Sequence, residues 1–221
     1  MHIEPGVVTG AKLILSYATA ATAGVYTLKT AYEAVRQQGL GSLVLRTAIA
    51  SLAVFTFFQL MPHYPVGVSE VHLILGSTLF LTLGAAPAAI GLSLGLLIQG
   101  LFFAQFDLPQ YGMNVTTLLV PLFGLQYLAQ RLIAPGTAYV DLKYTQALAL
   151  STAYQGGIVG WVAFWALYGQ GFAEIGQVMT FGVAYMSVIL LEPLVDLAVL
   201  GAAKRLHALK GSVWVTPRLF A

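Results

Sequence analysis

The chemistry begins at the chain's first two residues. His2 follows Met1, so a free N-terminal amine, the amide nitrogen of residue 2 and the Nδ1 of His2 can chelate one metal ion. The rings so closed are five- and six-membered, hence little strained, and they fix three nitrogens in one plane. One imidazole from elsewhere completes a square. Square-planar nitrogen coordination suits Ni(II) or Cu(II) and can hold Co(II), whereas Zn(II) prefers a tetrahedron. The amide must lose its proton, so the site should weaken in acid. His63, His72 and His207 are the remaining histidines. The alternative reading of each is bland: a histidine at position 2 occurs by chance, and one at a membrane edge is usually structural.

Glu192 and Asp196 form a second constellation around Pro193, inside an apolar stretch. Their i, i+4 spacing puts both on one helix face. Carboxylates at membrane depth are functional candidates by default. Lys204 and Arg205 follow closely, which favours a structural or partner-facing role over a proton pathway.

Other chemistry is missing from the sequence. There is no GxxxxGK[ST] loop to cradle phosphates, so an ATP-driven process needs a partner. HExxH does not occur; Gly91-Leu92-Ser93-Leu94-Gly95 has the GxSxG spacing, but Ser77, Ser93, Ser151 and Ser187 have no predicted mid-membrane histidine beside them. With Cys 0 there is no thiolate site. A basic, aromatic-interleaved stretch for nucleic acid is also missing.

The elements that must position these residues are apolar helices. Hydrophobic residues make up 58% of the 221 and charged residues 8%, against about 25% charged in an ordinary globular domain. That composition predicts an all-α, polytopic membrane helix bundle, a single integral domain over residues 1–221. Hydropathy marks seven segments, roughly 9–31, 43–61, 71–84, 86–105, 114–133, 145–168 and 176–203. The third is short and is separated from the fourth by Gly84-Ala85-Ala86-Pro87. A short or broken helix at membrane depth must be buried in protein or line a cavity, which places it beside a functional region; an ordinary tight helical hairpin is the plainer alternative.

Every basic residue except Lys12 falls on one set of connections or in the tail. By the positive-inside rule that side is cytoplasmic. The N-terminus is then outside, with residues 1–8 as a metal-chelating segment, and residues 204–221 form a basic cytoplasmic tail. His2, His63 and His72 share the outer side, and His207 lies in the tail. Trp161, Trp165, Tyr168 and Phe172 are expected to form an aromatic belt at the outer end of the sixth segment. The opening residues lack a basic n-region and position 2 is not small, so the N-terminus is expected to be mature with Met1 retained. Small residues recur at four-residue spacing in Ala20/Gly24, Gly91/Gly95 and Gly156/Gly160, as close helix packing requires. The first segment is small nearly all round at Ala18–Gly24, more than one neighbour needs, so Ala20 and Gly24 are candidate partner contacts.

Met1-His2-Ile3 with Pro5-Gly6 resembles the opening of the CbiM/NikM family, the cobalt- and nickel-capturing membrane subunits of energy-coupling factor transporters. A longer match runs through His72, Gly84 with Pro87, Leu97-Ile98-Gln99-Gly100-Leu101-Phe102-Phe103, Gly112-Met113-Asn114 and Pro121. The resemblance covers residues 1–6 and 72–121. It implies that the Met1 amine, His2 and His72 bind the metal, while Gln99 and Asn114 organise the loop around it. It implies Co(II) or Ni(II) as transported substrate, and partners in a membrane scaffold (T) subunit, two cytoplasmic ATPases and a small accessory membrane subunit; cobalamin biosynthesis would be the destination for cobalt. The sequence departs from the family in the loop before His72, His63-Tyr64-Pro65-Val66-Gly67-Val68-Ser69-Glu70-Val71. It is poorer in glycine and adds His63 as an alternative or additional ligand. Competing readings are a stand-alone secondary transition-metal permease and a membrane-embedded metalloenzyme, the latter disfavoured by the missing HExxH motif and by serines with no predicted histidine beside them. Neighbouring reading frames for an ATPase and a second polytopic protein would separate the transporter subunit from the permease.

Overall fold

The computed structural model describes residues 3–209. Within them, α1 spans Leu13–Gln38, α2 Leu40–Gln59, α3 Gly76–Leu83, α4 Ala85–Phe102, α5 Tyr111–Leu132, α6 Tyr144–Gln170 and α7 Ile175–Ala208. Two short antiparallel strands, β1 (Tyr64–Val66) and β2 (Ser69–Val71), join α2 to α3. Four helical stretches are long and apolar enough to cross a membrane: Leu40–Gln59, Ala85–Phe102, Gln105–Leu132, and Tyr144–Ala208, which holds both α6 and α7.

Small residues set the closest approaches. A Cβ on Gly91 would sit 2.4 Å from the Ala50 Cβ, and one on Gly95 would sit 2.5 Å from Val54. The Gly91/Gly95 face of α4 therefore lies directly on α2. Gly156 and Gly160 have nothing within 4 Å of such a Cβ, so that pair is not a packing face within the chain. The large core side chains Trp165, Tyr154, Tyr185, Phe181 and Phe58 are fully buried.

The short α3 is central, touching α2, α4, α5, α6 and α7. Eight residues cannot hold a helix alone, so its neighbours must supply its stability. Gly84 has φ +95, a region closed to most side chains, and turns the chain from α3 straight into α4. The break expected at Gly84-Ala85-Ala86-Pro87 is therefore present. The start of the third segment differs from expectation. Residues 69–71 are strand and 72–75 are non-helical, so an all-α description is corrected by one hairpin. The reason lies in Val66, Val68 and Val71, β-branched residues that favour a pleated backbone, with Gly67 (φ +62) opening the turn. Hydropathy alone cannot separate a short apolar strand from a short helix.

Other boundaries moved for physical reasons. The α1 helix continues past 31 through Glu33, Ala34, Arg36, Gln37 and Gln38, good helix formers that hydropathy does not register. The α7 helix continues past 203, with Arg205 and His207 in its last turn, where cations offset the helix dipole. Residues 204–208 are thus helix rather than loose tail, and Lys210–Ala221 lie outside the described residues. The aromatic belt is corrected at Trp165, which is fully buried in the core instead of facing the interface.

Candidate functional site

The expected ligands Met1 and His2 lie outside the described residues; the chain next to them is firmly held. The Ile3 amide donates to Asn114 Oδ1 at 2.8 Å. Ile3 also bridges Ser69 on β2, and the Glu4 amide donates to the Val68 carbonyl at 3.1 Å. Asn114 sits in the first turn of α5 and is buried. Farther on, a Cβ on Gly169 would lie 2.0 Å from the Val7 carbonyl oxygen. Lys12 Nζ donates to the Gly169 carbonyl at 2.7 Å. The N-terminal segment is therefore clamped between β2, the start of α5 and the end of α6.

His72 follows β2 directly and is 3% exposed. Its Nδ1 lies 2.9 Å from the Leu73 carbonyl oxygen. A carbonyl only accepts, so Nδ1 carries the proton. In the neutral ring the lone pair is then on Nε2, the arrangement that prepares a histidine to ligate through Nε2. The Phe58 ring meets the imidazole edge-on at 4.7 Å. Gln99 is buried and its Nε2 donates to the Phe58 carbonyl at 3.1 Å. Gln99 thus anchors the end of α2, whose last full turn presents Phe58 to His72. That side-chain contact carries no signal in the sequence.

His63 has a different setting. The ladder ends at the pair Tyr64↔Val71, so His63 and His72 flank its open end. Yet His63 is exposed, with Nδ1 3.2 Å from the Met61 carbonyl. The fold brings Asn114, Ile3, Ser69, Gln99 and His72 together at one end of the bundle and leaves His63 at the rim.

Ala20 and Gly24 lie elsewhere. They line a groove of about 420 Å³ between α1, α4 and α5, together with Leu28, Ile90, Leu94 and Tyr111. A Cβ on Gly24 would meet nothing within 4 Å. The small face of α1 is open over this part of its length.

Glu192 and Asp196 are fully buried, which corrects the partner-facing option. Glu192 Oε1 accepts the Ile74 amide and its Oε2 accepts Gln155 Nε2. Tyr185 OH donates to Gln155 Oε1 at 2.7 Å. One turn on, Asp196 accepts the Ser77 hydroxyl at 2.6 Å and the Thr78 hydroxyl. Ser151 Oγ lies 3.3 Å from Ser77 Oγ. On the other side of Asp196, Tyr139 sits in the α5–α6 connection, where burial and the Asp196 charge push its phenol up to about 12. Among the described residues no three histidine or carboxylate side chains gather into a metal-binding group.

Comparison with known proteins points one way. Residues 2–208 match the family CbiM, described as the cobalt uptake substrate-specific transmembrane region. A Haemophilus influenzae protein named for metal transport is 26% identical over 202 residues, covering 90% of this chain and 91% of that one. Two crystal structures of transition metal transporters share the fold. One superposes with a TM-score of 0.68 at 21% identity, covering 93% of each chain. The other, a truncated form, gives 0.62 at 20% identity, covering 92% of this chain and 96% of its own.

Proposed function

The chain belongs to the CbiM family and is a multi-pass membrane protein of metal uptake, and from that premise we propose that it captures Co(II) or Ni(II) on the outer face and delivers it to the cytoplasm. The ligands are the Met1 amine, the His2 amide nitrogen, His2 Nδ1 and His72 Nε2, in a square plane. The observation that carries this reading is the bond from the Ile3 amide to Asn114 Oδ1. It fixes the residue next to His2 against the start of α5, while the bridge to Ser69 sets the same residue on β2, which runs directly into His72. With Nδ1 of His72 donating to the Leu73 carbonyl, Nε2 is the ring nitrogen that can coordinate a metal.

Energy comes from partners in this reading. The sequence has no phosphate-binding loop, so the chain acts as the substrate-specific component beside a membrane scaffold subunit, two cytoplasmic ATPases and a small accessory membrane subunit. The open groove at Ala20 and Gly24 supports a helical neighbour there.

The assignment of the fourth corner is tested by Co(II) and Ni(II) binding to two variants of the full chain. His72→Ala should lose at least 10–100-fold in affinity, the cost typical of losing even an indirect support of a metal site. His63→Ala should bind as the parent does. Loss in His63→Ala with full binding in His72→Ala would move the fourth ligand to His63.

A further inference from the structure

The buried carboxylates of α7 have no part in the ligand set, yet apart from Gln155 the partners they hold, Ile74, Ser77 and Thr78, lie just after His72 in the chain. The order is His72, whose Nδ1–H bonds the Leu73 carbonyl; then Ile74, whose amide bonds Glu192; then Leu75; then Gly76–Leu83 as α3. Leu75 is the one non-glycine with a positive φ among the described residues, at 54°. Bulky side chains rarely take that conformation, and it persists only when surrounding contacts enforce it. The first turn of α3 has no cap from its own residues. Asp196 supplies the hold from outside, through Ser77 and Thr78. Gly76 is equally constrained, since a Cβ there would lie 2.4 Å from the Tyr154 ring.

We propose that Glu192 and Asp196 position His72 for metal capture, Glu192 by fixing the peptide that follows it and Asp196 by clamping the first turn of α3. The inference rests on the reading of His72 as a metal ligand. Glu192 is itself braced, because Gln155 holds its second oxygen and Tyr185 holds Gln155. The fourth corner of the metal square is therefore set by α6 and α7, helices that contribute no ligand. The carboxylates are not a second cation site, because their oxygens are already occupied by donors from α3, the 72–75 segment and α6.

The test is a Ni(II) titration of the full native chain, read by affinity and by the visible absorption band that distinguishes four nitrogen ligands from three. Glu192→Ala should lose about 10–100-fold in affinity, as outer supports of metal ligands do, and should shift the band to that of His72→Ala. The double variant Glu192→Ala/His72→Ala should bind no more weakly than His72→Ala alone, because the two act through one ligand. Glu192→Gln keeps a carbonyl oxygen for the Ile74 amide and should restore most of the affinity and the parent band. A merely structural role would lower stability without moving the band, and its loss would multiply with that of His72→Ala. Parent affinity and band in Glu192→Ala, or multiplying losses in the double variant, would overturn the proposal. Should Glu192→Ala not fold, Asp196→Ala, which removes both acceptors of the Ser77 and Thr78 hydroxyls, gives the same reading: a weakened site with the His72→Ala band supports the clamp, and a parent site overturns it. His72→Ala binding at full strength would defeat the ligand assignment and this proposal together, whereas loss in His72→Ala with an unaffected Glu192→Ala defeats the positioning role alone.

Discussion

At the scale of residues, the site depends on where protons sit. The Leu73 carbonyl keeps the His72 proton on Nδ1, and Asn114 Oδ1 receives the Ile3 amide. Removing that acceptor leaves a buried amide unsatisfied, at about 1–3 kcal/mol. Asn114→Ala should therefore weaken Co(II) or Ni(II) binding about 10–100-fold while the chain still folds, measured by equilibrium titration beside thermal unfolding; equal affinity in parent and variant would remove Asn114 from the site. Acid should act in the same direction by another route. The chelate forms only when the His2 amide loses its proton and the amine and imidazoles are neutral, so metal binding releases protons. Affinity should fall steadily as pH drops below neutrality, and proton release should be detectable on metal addition to a weakly buffered sample. A pH-independent affinity would exclude a deprotonated amide. His72 was legible in the sequence as one of three histidines on the expected outer side, whereas Gln99 and Asn114 were legible only through the resemblance to the CbiM/NikM family. The bond of Glu192 to Ile74 was not, because it joins residues 118 apart through tertiary packing. The i, i+4 spacing of Glu192 and Asp196 showed that they share a face, without showing what that face meets.

At the scale of elements, α1 and the hairpin carry different lessons. Helix α1 could be drawn from its composition, and so could its small face; whether that face was already covered could not. The groove beside Ala20 and Gly24 is open in the single chain. Ala20→Leu or Gly24→Leu should fill it, abolish co-purification with a scaffold subunit and leave metal affinity unchanged, since neither residue is a proposed ligand or bonds to the residues that hold Ile3 and His72. Unimpaired co-purification would show that the partner docks elsewhere. Gly95→Leu should behave in the opposite way. A side chain there meets Val54 at once, and overpacking typically costs about 1–3 kcal/mol, so the variant should lose stability in thermal unfolding with or without a partner. The hairpin was missed because valines read as apolar in any hydropathy window. Its turn signal, Gly67 between Val66 and Val68, was present, but residues 63–70 were read as a loop between the second and third segments.

At the scale of the molecule, a short central helix joins the N-terminal clamp to a bundle of longer ones. The distribution of charge sets the direction: every basic residue but Lys12 lies on one side, so that side should be cytoplasmic. Reporter fusions placed after Leu209 should be active in the cytoplasm, and a tag in the β1–β2 hairpin should be accessible from outside; the reverse pattern would invert the whole account. The central claim is that the chain's own amine is a metal ligand. Its most direct test compares Ni(II) binding by the chain beginning at Met1 with binding by a form carrying one additional residue before it. The added residue turns the amine into an amide and leaves every other group in place. The account predicts that the extended form loses at least 10–100-fold in affinity and loses the absorption band of a four-nitrogen square. Full-strength binding by the extended form would contradict it.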